Sequence, residues 1–178
     1  MEYFMIETDT GNRIPYNINK NHIIDSWMLT KEKLNKLPEW NVVEMNLPDE
    51  AFFPDIICSP FVLLSRVCIK TVLLYQPELP YKGIKLWEKE SCEDRTYFLT
   101  VPDELECMSD KTQFNSTGNR IIKLVLDRNK IGDQVFFKVK GLDRSAVVGR
   151  MDVVESMLRR GMQGFTLAET EVEERSGL

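Results

Sequence analysis

The chain has 178 residues, 43% of them hydrophobic and 29% charged, a balance that suits one well-formed core and excludes global disorder. Its net charge of −5 excludes the dense cationic surface on which nucleic-acid-binding proteins depend. No internal repeat is visible, which excludes a solenoid.

The opening "MEYFMIETDT" has neither a cationic n-region nor a long apolar h-region, so no signal peptide is expected and the protein reads as cytoplasmic. "EYFMIE" reads as a first strand, ended by the turn "TDTGN". "TKEKLNKL" (30–37) reads as a short helix stopped by Pro38, "NVVEMN" as a strand, and "LPDEAFFPD" as a loop or single helical turn limited by Pro48 and Pro54. "DIIC" follows as a short strand.

"SPFVLLSRVCIKTVLLYQP" is the strongest helical pattern. Ser59 reads as its N-cap and Pro60 as its first helical residue. Phe61, Leu64, Cys68, Val72 and Tyr75 share one side, with Leu63, Val67 and Leu74 beside them, so this helix is expected to be the most deeply buried. Arg66 and Lys70 exclude a membrane span, since each would cost roughly 2.5–3.5 kcal/mol at a bilayer centre.

Five strand-like runs come next: "GIKLWEKE", "RTYFLTVP", "NRIIKLVLD", "QVFFKVKG" and "SAVVGR", separated by turn clusters such as "NSTGN" and "RNKIGD". A second helix is expected over 152–160, with Asp152 as N-cap, Glu155 completing an acidic capping box and Gly161 as the left-handed C′ residue. Arg159 and Arg160 at its end either bind a phosphate or answer the negative end of the helix dipole, and the dipole reading is preferred. "QGFTLAE" reads as the last strand. The pattern predicts an α+β protein: a mixed, largely antiparallel sheet packed against one long buried helix and one or two shorter helices. The whole chain reads as a single domain, 1–178.

Catalytic and metal-binding patterns are missing from the sequence. There is no G-x-S-x-G, no glycine-rich phosphate loop, no G-x-G-x-x-G and no H-E-x-x-H, and His22 is the single histidine. Cys58, Cys68, Cys92 and Cys107 are widely spaced, which favours free, mostly buried thiols over a zinc site. No catalytic residue, cofactor or metal is therefore assigned. An enzyme would need Lys85, Glu88 or Glu90 in a deep pocket with a strongly perturbed pKa. Trp27, Trp40 and Trp87 are expected mainly in the core, as large rings usually are; Trp87 alternates with Leu86, so one of those two faces away from it.

Charge is distributed unevenly. Between positions 88 and 106 seven carboxylates face two cations, an excess equal to that of the whole chain. Glu169, Glu171, Glu173 and Glu174 form a second acidic group with only Arg175 beside it. Both groups read either as solvated faces or as surfaces that steer a basic partner into contact.

Four stretches, in order, resemble a known family: "CSPFVLLSRVCIKTVLL", "RTYFLTVPDELECMSDKTQF", "RIIKLVLDRNKIGDQVFFKVKG" and "VVGRMDVVESMLRRGMQGFTL". Together they cover roughly 54–167, and they are similar to an immunity-protein domain found beside toxins of bacterial polymorphic toxin systems, first described as a domain of unknown function. The resemblance implies a cytoplasmic protein that blocks a cognate protein toxin by direct contact, and it supplies no catalytic residues; the charge balance and the interrupted apolar run argue separately against nucleic-acid and membrane partners. The resemblance places the Arg-Arg-Gly helix ending among packing features. It leaves 1–53 as a variable N-terminal subregion, 54–168 as the family-like core and 169–178 as an acidic C-terminal tail. Since many toxin domains that act on nucleic acids are basic, Glu88, Glu90, Glu93, Asp94 and Glu104, with Trp87, are the candidate partner-binding residues. An interaction module unrelated to toxins accounts for the same surface features.

Overall fold

In the computed structural model, which describes residues 1–118, 121–142 and 146–174, the chain is an α+β protein built on two mixed sheets. The first strand, β1 (Tyr3–Thr8), ends where the Asp9 carboxylate accepts the Gly11 amide and the Asn12 side chain, both at 3.0 Å. After a 3-10 turn (Ser26–Met28), α1 (Lys31–Leu34) starts from Thr30, whose hydroxyl accepts the Lys33 amide, and β2 (Trp40–Glu44) follows. Both match the sequence expectation, and 47–54 is a loop as expected.

The long helix expected from Ser59 is instead a strand and a shorter helix. β3 (Ile56–Ile57) pairs with β4 (Val62–Leu64), and only then does α2 (Arg66–Tyr75) begin. Its N-cap is Ser65, whose hydroxyl accepts the Cys68 amide at 3.2 Å and donates to the Asp55 carboxylate at 2.5 Å. The physical reason lies in "FVLL". Phe61, Val62, Leu63 and Leu64 are all buried, with Val62 and Leu64 in one core cluster and Leu63 in another. A strand buried on both faces carries a continuous apolar run that is locally indistinguishable from a buried helix. α2 is also not uniformly buried: Cys68, Ile69, Thr71 and Val72 face inward, while Val67 and Leu74 are exposed.

The strands β5 (Tyr81–Trp87) and β6 (Asp94–Thr100) form an antiparallel hairpin. Then come β7 (Glu104–Leu105), the small pair β8 (Gln113–Phe114) and β9 (Ile121–Lys123), β10 (Val125–Asp127) and the single-turn helix α3 (Arg128–Ile131). The expected strand at 119–127 is thus split at Leu124; Asn119, which also closes the expected "NSTGN" turn, and Arg120 lie outside the described residues. β11 (Phe136–Val139) and β12 (Ala146–Arg150) match the expected runs, apart from Ser145, which lies outside the described residues. α4 (Met151–Arg159) and β13 (Phe165–Glu173) complete the fold. β13 takes in Glu169, Glu171 and Glu173, while 175–178, including Arg175, lie outside the described residues.

The larger sheet runs β10-β13-β1-β12-β11-β7 and the smaller β2-β5-β6-β4-β3. Alternation along β11 and β12 sends Phe136 and Val147 to the core shared with α2 and α4, and Phe137 and Val148 to the opposite face beside Tyr3 and Leu126. Burial on both faces explains why these segments read as unbroken apolar runs.

The start of α4 differs from expectation. Its N-cap is Arg150 rather than Asp152, and Glu155 reaches Arg159 at 3.4 Å instead of closing a capping box. The end is as expected. Gly161 has φ +72°, its amide donates to Leu158 O at 2.9 Å, and the Met162 amide donates to Met157 O at 3.3 Å, the paired bonds of a Schellman ending. Arg160 donates to the Ser156 carbonyl at 3.0 Å, so this cation satisfies a carbonyl of the last turn.

Candidate functional site

Strand alternation gives the smaller sheet two unlike faces. Inward go Val43 from β2 with Met45 just past its end, Ile84 and Leu86 from β5, and Tyr97 and Leu99 from β6, all buried. Outward go Trp40, Val42 and Glu44, then Tyr81, Gly83, Lys85 and Trp87, then Asp94, Thr96 and Phe98. α2 covers the β4–β6 side of this outer face, where Phe98 packs against the core containing Cys68, Ile69 and Val72. Among the described residues no helix packs closely on the β2–β5 side. Trp40 is 54% exposed, Val42 55% and Tyr81 45%.

Trp40, Gly83 and Phe98 lie in one register row across β2, β5 and β6. The Trp40 indole lies over Gly83 and meets Phe98 at 6.1 Å between ring centroids; Tyr81 meets Phe98 edge-on at 5.9 Å. The Arg66 guanidinium sits over the Phe98 ring at 5.9 Å. These contacts fix three rings as an aromatic platform. A strand-interior glycine costs about 0.5–1 kcal/mol relative to alanine, so its presence beneath an indole calls for a reason in packing. At the edge of the sheet the Asn21 side chain bonds Val42 O and Glu44 N, which protects part of β2 from pairing with another chain.

The acidic window divides. Glu88, Glu90, Glu93 and Asp94 cluster with Trp87 at the β5–β6 turn, and Trp87 and Asp94 are register partners on the outer face. Glu104 lies on β7 in the larger sheet, beyond the opposite end of β6, a strand about 20 Å long. Most of these acids have partners: Glu93 meets Arg95 at 3.2 Å, Asp94 meets Lys85 at 2.7 Å, Asp103 meets Lys31 at 2.6 Å, and Glu106 pairs with Lys140. Glu88 is nearly buried and accepts both the amide and hydroxyl of Ser91, at 2.6 and 2.7 Å. Those bonds hold its carboxyl below the usual range, opposite to the shift that prepares a general acid. Glu90 projects into solvent.

A cleft of about 550 Å³ opens where the chain leaves β6 in the smaller sheet for β7 in the larger. Trp27, Lys31, Phe61, Asp103, Glu104 and Lys138 are among its lining residues; Lys85, Glu88 and Glu90 are not. Trp27 is 56% exposed at its rim. The tryptophans therefore depart from the expected core placement: Trp27 and Trp40 are exposed, and Trp87 is half-buried. Among the described residues no group of three or more His, Cys, Asp or Glu side chains is placed to hold a metal. Cys58, Cys68 and Cys107 are buried, Cys92 is exposed, and His22 is exposed in a loop.

Sequence reasoning found Trp87 and Asp94 but missed Trp40, Val42, Tyr81 and Gly83. The local signal was the glycine in "YKGIKLW", which marks a close approach within a strand. No protein-family model matches the chain, and no curated protein matches it in sequence. Among the described residues no helix is long and apolar enough to cross a membrane.

Proposed function

We propose that this protein is a cytoplasmic binding module of the immunity-protein type, which neutralises a cognate basic protein toxin by seating it on the outer face of β2 and β5. The observation that carries this reading is the platform itself: Trp40 and Tyr81 are about half exposed on a rigid sheet, and tryptophan and tyrosine dominate the energetics of protein–protein contacts. Charge favours a cationic partner. Glu39 adjoins Trp40, Glu44 and Asp94 share the outer face with Trp87 at the other end of the strands, and Glu90 lies in the turn beyond them. The chain carries −5 overall, and exposed aromatic faces attract ammonium and guanidinium groups. The resemblance over 54–167 supplies the biological setting.

The test is co-expression. The C-terminal domain encoded by the neighbouring gene is expressed in a sensitive host with and without this protein, and survival and complex formation are scored. Rescue with co-purification supports the reading. Equal killing removes the toxin assignment, and an interaction module of another kind takes its place.

A further inference from the structure

We infer that Gly83 is the positioning residue of this contact face: its missing side chain lets the Trp40 indole lie flat across β5 and stand as the anchor for a basic protein partner. The inference rests on the reading of the platform as the partner site. Gly83 is not among the glycines with positive φ, so the backbone makes no demand for glycine at this position. The demand comes from the ring. A Cβ at Gly83 would stand 2.5, 2.6 and 2.7 Å from Cε3, Cδ2 and Cζ3 of Trp40, distances at which something must move.

The backbone is poorly placed to yield. The Gly83 amide donates to Glu39 O at 2.8 Å, and β5 is held between β2 on one side and β6 on the other. Phe98, fixed between Tyr81 and Arg66, blocks the ring from sliding further along its row. The indole must therefore lift away from the sheet or swing off its edge. Either movement removes the flat, half-exposed presentation that makes Trp40 a contact residue. A ring packed on a glycine also stabilises a sheet, so stability alone does not distinguish presentation from simple cross-strand packing.

A double-mutant cycle in the full chain separates the two roles. The probe is the purified C-terminal domain encoded by the neighbouring gene, with affinity measured for wild type, Trp40→Ala, Gly83→Ala and the double variant. In parallel, a chain keeping Trp40 alone (Trp27→Phe, Trp87→Phe) is quenched with acrylamide, with and without Gly83→Ala. Expected are a loss of about 30-fold for Trp40→Ala, at least about tenfold for Gly83→Ala, and a double variant within about twofold of Trp40→Ala. Quenching of Trp40 should rise in Gly83→Ala. The double variant also controls for folding, because removal of the ring leaves room for the new methyl group. No complex with wild type overturns the toxin reading and this inference with it. Unchanged affinity in Trp40→Ala overturns the contact face. A loss in Trp40→Ala with retained affinity in Gly83→Ala, or a fully additive cycle, overturns the role of Gly83 alone.

Discussion

Arg150 grips Asp152 through two hydrogen bonds, Nε to Oδ1 at 2.9 Å and Nη2 to Oδ2 at 2.7 Å, across the junction where β12 becomes α4. Arg150 is the main reason that the Asp152 carboxyl lies below its usual range, with the Val153 amide adding to the effect. A carboxylate whose folded-state pKa is lowered contributes stability above about pH 4, and that contribution is lost as pH falls through the lower folded value. Asp152→Asn should cost about 0.5–1 kcal/mol at neutral pH, a modest figure because the pair is partly exposed and screened. Urea titrations of both proteins should show the gap narrowing as pH falls below about 4; a gap that does not narrow contradicts the assignment.

At the other end of the same helix, Gly161 adopts φ +72° with open space around its Cα. Gly161→Ala meets no steric neighbour, so its cost is backbone strain alone, about 1–2 kcal/mol. Thermal unfolding should show a lowered Tm with unchanged cooperativity, and a variant as stable as wild type would refute the Schellman ending.

Thiol reactivity follows burial. Burial pushes the Cys58 and Cys107 thiols up to about 11, and it pushes that of Cys68, fully enclosed, well above its ordinary value. Since the thiolate is the reactive form, a disulfide reagent at pH 8 should modify Cys92 rapidly in the native protein and the other three only after unfolding. Fast modification of more than one thiol in the folded state would contradict the packing around β3, α2 and β7.

Much of this fold is legible along the chain because its signals are local. β1, β2, β5 and β6 carry alternation or β-branched runs bounded by turn residues, and Gly161 marks a helix end by its backbone freedom. What escapes is decided by distant partners. Val62–Leu64 becomes a strand because β3 and β6 flank it, which displaces the helix start from Ser59 to Ser65. Asp152 is drawn away from capping by Arg150. The site follows the same rule: Trp87 and Asp94 meet through a short hairpin and could be found, whereas Trp40 reaches Gly83 only through the parallel pairing of β2 with β5, across some forty residues of intervening chain.

The division of the acidic window gives a directional prediction. Reversing Glu90 and Asp94 to lysine should slow association with a basic partner by about 3–10-fold at low salt and flatten its salt dependence. Reversing Glu104, on the larger sheet, should leave the rate unchanged. Stopped-flow association at two ionic strengths decides, and equal effects at both places would contradict a contact centred on β2 and β5.

The central claim, that the β2–β5 face is where a toxin is held, is tested most directly by survival in the co-expression assay with wild type and Trp40→Ala side by side. The account predicts rescue by wild type and its loss in a folded, equally abundant Trp40→Ala protein. Rescue by both would contradict it, and so would killing in the presence of wild type.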